Sequence, residues 1–147
     1  MSRDSFLIFC RNDYVVPKTT LTSGEEWVVS EFVEVAGIND IPEGTMKKFM
    51  VSKYPIILAR VKGRYYAFDE YCPHLGGDLF LGTLKGTTLP CPIHHSQFDI
   101  RDGHVIRWTD LVGIMLAIDS RIHPPNSLRK YPVRVEGNKI LISHERG

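Results

Sequence analysis

Two short stretches hold the residues best able to bind a metal: Cys72-Pro73-His74 and, after sixteen intervening residues, Cys91-Pro92-Ile93-His94. Thiolate and imidazole together suit zinc or an iron–sulfur cluster. If the metal is iron, the mixed set has an electrostatic consequence. Two ferric ions with two sulfides carry a charge of about +2, which two thiolates cancel, whereas four thiolates would leave about −2. An electron then enters a neutral centre, so histidine ligation raises the reduction potential. A structural zinc site is the alternative chemistry. A single residue between Cys72 and His74 is tighter than the spacing of zinc fingers, about two to four between cysteines and three to five between histidines.

Strand-forming sequence must carry both pairs to one point. Tyr65-Tyr66-Ala67-Phe68 precedes the first pair and Thr87-Thr88-Leu89 the second, which predicts two hairpin tips. From Glu31 the chain is strand-like, with Phe32, Val33 and Val35 around Glu34, followed by a turn at 39–44. Strands are predicted over 45–51, 56–61 and 64–68, with Lys62-Gly63 as a tight connection. Gly86 predicts a hairpin between Thr83-Leu84 and 87–91, and Asp102-Gly103 turns the chain after Phe98 and Ile100 alternate with Asp99 and Arg101. A last hairpin forms around Gly137-Asn138. Only 109–118 reads as a short helix, capped by Thr109-Asp110 and apolar on nearly every face. That pattern suits a buried or docked helix first and a partner surface second.

Cys-x-His, a mid-length spacer and Cys-x-x-His form the signature of Rieske [2Fe–2S] proteins, which this chain resembles. Leu75-Gly76-Gly77-Asp78-Leu79 after the first pair, and Ser96-Gln97-Phe98-Asp99 after the second, strengthen the likeness. The resemblance implies a [2Fe–2S] cluster with Cys72 and Cys91 on the inner iron and His74 and His94 on the outer one. Around them it implies supporting roles for several residues. Leu75 shields the cluster, Gly76 and Gly77 let backbone amides approach it, and Pro124 belongs to a covering proline loop. Ser96 would donate its hydroxyl to a bridging sulfide, with a plain turn serine as the other reading. Phe98 lacks the hydroxyl that higher-potential members place there, so an intermediate potential is expected. His95 departs from the glycine usual after the second histidine, and would be strained if its φ is positive. His104, His123 and His144 have no metal-ligand spacing and are read as surface or packing residues.

The implied fold is all-β: a Rieske-type antiparallel sandwich or barrel as base domain over 31–143, a small cluster-binding subdomain at about 70–106, the helix near 109–118, and an N-terminal extension over 1–30. A length of 147 residues suits one such domain. Three cysteines leave Cys10 alone once two are ligands, and Gly77 and Ile93 stand where respiratory Rieske proteins carry bridging cysteines. The likeness is therefore to soluble, cytoplasmic Rieske-type ferredoxins. Eighteen basic against seventeen acidic residues give a net charge of +1, with no field pointing to nucleic acid. The apolar run at 6–10 is shorter than a signal-peptide core of about seven residues. No stretch approaches the roughly twenty residues of a membrane span.

The resemblance implies one-electron transfer, with a reductase as donor and an oxygenase or other redox enzyme as acceptor. Rival readings are a zinc-stabilised binding module and a detached Rieske component of an oxygenase. A whole oxygenase would need a second domain with a two-histidine, one-carboxylate iron, which Asp119 and His123 cannot supply alone.

Overall fold

The computed structural model describes residues 32–144 and the short segments 9–11 and 14–16. Its elements are β1 (Phe9–Arg11), β2 (Tyr14–Val16), β3 (Phe32–Gly37), β4 (Met46–Val51), β5 (Tyr54–Val61), β6 (Arg64–Asp69), β7 (Thr88–Pro90), β8 (Gln97–Asp99), β9 (Val105–Arg107), α1 (Gly113–Ile122), β10 (Lys130–Tyr131), β11 (Val133–Glu136) and β12 (Lys139–Ser143). A 3-10 turn at Leu79–Leu81 follows the first ligand loop.

Three sheets result, in the orders β1-β2-β4-β5-β6-β10, β11-β12-β3 and β7-β8-β9. Strand β5 explains how they pack. Ile56, Ile57, Leu58 and Ala59 are all fully buried, so both faces of the pleat are covered. Ile56 and Leu58 share a core with Val35, Phe49, Ile140 and Ile142, against the β11-β12-β3 sheet. Ile57 and Ala59 face the other way, into a core that holds Cys72, Leu89, Cys91, Phe98 and Trp108. One strand is thus the common wall between the base and the layer around β7-β8-β9, and Cys72 and Cys91 are both anchored in a hydrophobic core.

The tight connection at Lys62-Gly63 takes φ of 52° and 73°, the positive pair that a two-residue hairpin requires. β1 and β2 extend the six-stranded sheet, with Val15 of β2 parallel to Phe49 of β4. Around Gly86 the expected strand at Thr83-Leu84 is reduced to one isolated bridge, Lys85 to Thr88.

The helix is where the structure corrects the sequence reading most. It runs from Gly113 to Ile122, not over 109–118, and its N-cap, Val112, makes no side-chain capping bond. The expected caps are used elsewhere: Thr109 Oγ1 accepts from the Leu111 amide, and Asp110 pairs with His95. None of the helix residues is buried, and Ile114 and Ile122 are 75% and 66% exposed. Apolar residues all round a helix usually mean burial; here they face outward, and α1 is held through Asp119 instead.

Lys48 of β4 ties the base to the first ligand loop, its Nζ lying 2.8 Å from both Glu70 Oε1 and Asp78 Oδ2. Desolvation disfavours its charge, but hydrogen bonds to Asp78 and Glu70 outweigh that and raise the ammonium above its usual pKa. Asp78 also accepts from the Phe80 amide at 2.9 Å and so starts the 3-10 turn.

Beyond the second loop, buried Asp99 accepts from Arg101 through its backbone amide at 2.9 Å and its guanidinium at 2.6 Å. The Arg101 hydrogen bonds hold the Asp99 carboxyl below its ordinary pKa, against the opposing effect of burial. A depressed carboxylate stabilises the fold above the unfolded value of about 3.9 and loses that contribution as pH falls through the folded value. Asp99→Asn should therefore lower the urea midpoint near neutral pH, with the gap to wild type closing in acid. A gap that stayed constant down to about pH 2.5 would contradict this origin.

Candidate metal centre

The two ligand loops share one backbone design. In the first, the Cys72 amide donates to Gly77 O at 2.8 Å and the Gly76 amide to Cys72 O at 2.8 Å. In the second, the Cys91 amide donates to Ser96 O at 2.7 Å and the His95 amide to Cys91 O at 3.0 Å. Gly76 and His95 thus occupy equivalent positions, with φ of 75° and 58°. This is the strained histidine the sequence raised as a condition. A left-handed non-glycine residue costs about 1 kcal/mol or more and persists where its surroundings over-determine it. Asp110 Oδ2 lies 2.5 Å from His95 Nδ1, and Arg107 donates to the His95 carbonyl at 3.1 and 3.2 Å.

The loops meet tightly. A Cβ built on Gly77 would lie 2.8 Å from Cys91 Sγ and 3.4 Å from Ile93 Cβ. Gly77 and Ile93 therefore face each other at a disulfide-like spacing, but neither carries sulfur. Only a residue without a side chain leaves Cys91 its room.

Burial pushes the Cys72 thiol up to about 11; nearby Cys91 adds to this, while the His74 amide and Ser96 hydroxyl act in the opposite direction. A buried thiolate needs a compensating cation, which a metal centre provides.

His74 is 5% exposed, and its ring lies edge-on to His94 at 5.1 Å, to Trp108 at 4.8 Å and to His123 at 5.6 Å between centroids. Its Nε2 sits 2.9 Å from Asp119 Oδ2 and 3.2 Å from Oδ1. Burial works against the Asp119 charge, but hydrogen bonds from His74 and His123 prevail and keep its carboxyl below the usual pKa. An ionised carboxylate can only accept, so Nε2 carries the proton of the neutral ring. Nδ1 then presents a lone pair, and it is buried without a hydrogen-bond partner. Such an orphan is costly unless something binds it. Two cysteines, the lone pair of His74 and neighbouring His94 form a donor set that fits a mixed-ligand [2Fe–2S] group.

Leu75 is about half exposed, and Pro124 is exposed after α1; the contact with His74 comes from His123, the preceding residue. Ser96 is fully buried, its hydroxyl donating to the Trp108 carbonyl and also lying within hydrogen-bonding reach of the Cys72 sulfur. A hydroxyl has one hydrogen to give. Fully buried Phe98 contributes to the core. His74 is covered, and His94 is the more open of the two.

Trp108 and Asp119 went unrecognised as neighbours of the centre, whereas His123 lies beside Pro124 in the loop that the resemblance set over it. Trp108 Nε1 donates to the His123 carbonyl at 2.7 Å, and His123 Nδ1 lies 3.3 Å from Asp119 Oδ1. His123 is therefore part of this site, whereas His104 pairs with Asp102 at 2.6 Å and His144 stacks on Tyr54. The spacing of Asp119 and His123, one helical turn apart, was the available signal. With His74 they bring three donor atoms within 4.8 Å of one another.

The comparisons agree with this geometry. A family model described as the Rieske [2Fe-2S] domain matches residues 31–132. The chain is 31% identical over 117 residues to the ferredoxin component of the alkene monooxygenase system of Xanthobacter autotrophicus, covering 78% of this chain and 83% of that protein. It is 27% identical over 118 residues to a ferredoxin component of naphthalene 1,2-dioxygenase/salicylate 5-hydroxylase systems from Ralstonia sp, covering 80% and 100%. The ferredoxin of carbazole 1,9a-dioxygenase from Nocardioides aromaticivorans IC177 has the same fold, with a TM-score of 0.64 at 24% identity over 79% of this chain and 100% of that one. Its two matched loops, its orphaned ring nitrogen and these relatives make this chain a member of the Rieske [2Fe–2S] family.

Proposed function

We propose that this protein is a one-electron carrier, the ferredoxin component of an oxygenase system, in which Cys72 and Cys91 hold one iron and His74 and His94 the other. The bound [2Fe–2S] group supplies a reversible one-electron step. The observation that carries the ligand assignment is His74 itself, with Nε2 committed to Asp119 and Nδ1 buried and unpartnered.

Under this reading the chain's own residues divide the work. The core around Ile57, Phe68 and Phe98 fixes both cysteines, and the Lys48 clamp holds the first loop against the base. His74 lies beneath Trp108 and Asp119, so electrons exchange on the His94 side. Exposed Leu75 and Ile93, each beside a ligand histidine, suit a brief contact with a partner protein. The relatives' names point to an oxygenase as acceptor, with a flavin reductase as donor. Substrate chemistry is left to the oxygenase.

Residues 31–143 are read as the Rieske domain, with its cluster-binding part at about 70–106 and 1–30 as an extension. Among the described residues no helix is long and apolar enough to cross a membrane. Gly77 and Ile93, where a bridging cysteine pair would stand, accord with a reducing cytoplasm.

The test is made on purified protein. We expect a red-brown chain with two irons and a Rieske-type paramagnetic signal on reduction, able to relay electrons from a flavin reductase to an oxygenase. Colourless protein with stoichiometric zinc would refute the reading.

A further inference from the structure

Asp119 has no part in the four-ligand assignment, yet it makes a close polar contact with one of those ligands. Its carboxylate is 13% exposed and reaches His74 Nε2 at 2.9 Å from helix α1, 45 positions along the chain. The helix has no buried residue, so its placement rests on this side chain and on the segment that follows. His123 Nδ1 lies 3.3 Å from Asp119 Oδ1, and Trp108 Nε1 fastens the His123 carbonyl at 2.7 Å. An exposed helix thereby delivers a carboxylate to the far nitrogen of a buried imidazole.

We infer that Asp119 is a positioning residue that fixes the proton of His74 on Nε2, aims Nδ1 at the iron and lowers the reduction potential of the cluster. The inference rests on the ligand assignment proposed above. A carboxylate accepting from the distal N–H of a metal-bound imidazole fixes the ring's tautomer and orientation and makes it a stronger donor to the metal. Stronger donation, with a nearby negative charge, favours the oxidised centre over the more negative reduced one. His94 has no such carboxylate among its contacts in the described residues. The two imidazoles are therefore unequal: His74 is the tuned, covered ligand and His94 the open one.

The experiment compares wild type, Asp119→Asn and Asp119→Glu for iron content, visible circular dichroism and midpoint potential at one fixed pH. Asp119→Asn keeps the shape and a neutral acceptor but loses the charge. We expect it to retain two irons per chain and to favour reduction at least tenfold, an upward shift of 59 mV per tenfold for one electron. Asp119→Glu should stay within tenfold of wild type. An unchanged potential in fully loaded Asp119→Asn overturns the inference. So does a third, non-cluster metal ion that wild type carries and Asp119→Asn lacks, because His74, Asp119 and His123 would then be a cation site. If Asp119→Asn fails to load iron, Asp119→Glu decides: recovery of the cluster within tenfold of the wild-type equilibrium supports the role, and failure of both variants overturns it. A wild-type protein without a two-iron chromophore would defeat the ligand assignment, a different result from any of these.

Discussion

Replacing His94 with serine should abolish the cluster, whereas replacing His95 with glycine should leave it intact. The two residues are neighbours, but the backbone separates their roles. His94, in the loop that carries Cys91, lies edge-on to His74 of the other loop at 5.1 Å between ring centroids. Under the proposed assignment, loss of its imidazole would leave one iron a ligand short, and serine does not reach as far. His95 occupies the left-handed turn position with φ of 58°, its side chain 56% exposed and bonded to Asp110. The matching position in the first loop is already Gly76, with φ of 75°. Glycine at 95 should relieve about 1 kcal/mol of backbone strain, partly offset by the lost surface pair with Asp110, worth under about 1 kcal/mol. The measurement is iron per chain with the visible spectrum. We expect near-complete bleaching in His94→Ser and two irons in His95→Gly. Retention of the cluster by His94→Ser would break the ligand assignment.

The family and its two loop motifs were readable from the chain, and long-range closure was not. Cys72, His74, Cys91 and His94 stand out because their spacings lie within single loops. The continuous apolar run of β5 and the Lys62-Gly63 turn are likewise written in adjacent residues. The helix shows the limit. Its apolar residues gave it a type but not a cover, since periodicity does not say whether a partner surface exists in the same chain. The caps failed for a related reason: Asp110 reaches His95, fifteen positions away, in preference to a local amide. Ser96 reads as a donor to sulfur, and the fold brings it a second acceptor that the sequence does not announce, the Trp108 carbonyl. Asp119, within α1, meets His74 only after the chain has passed through the second loop and β9. Nothing about an aspartate in an apolar helix announces that contact, although its spacing to His123 puts both on one face.

Gly103→Ala should destabilise the protein by about 3 kcal/mol and Gly86→Ala by only about 1 kcal/mol, although both turn glycines have positive φ. Gly86 has φ of 59°, and a Cβ there would meet nothing within 4 Å. Alanine at 86 therefore bears the left-handed strain alone. Gly103 has φ of 80°, and its Cβ would lie 2.2 Å from the carbonyl oxygen of Leu128. That oxygen cannot easily retreat, because the Leu128 amide donates to Gly103 O at 2.8 Å and the Leu128 side chain is buried in the core around Cys72 and Cys91. The clash adds an overpacking cost of about 1–3 kcal/mol, a large fraction of a typical stability of about 5–15 kcal/mol. Urea midpoints of the two variants read the difference directly, and equal midpoints would show that the close approach is no constraint. A second consequence separates this from general weakening. Leu128 is where the chain returns from α1 and its Asp119 contact toward β10, so moving it disturbs the cover over His74. Iron release should therefore accelerate in Gly103→Ala at urea concentrations where Gly86→Ala still holds its cluster.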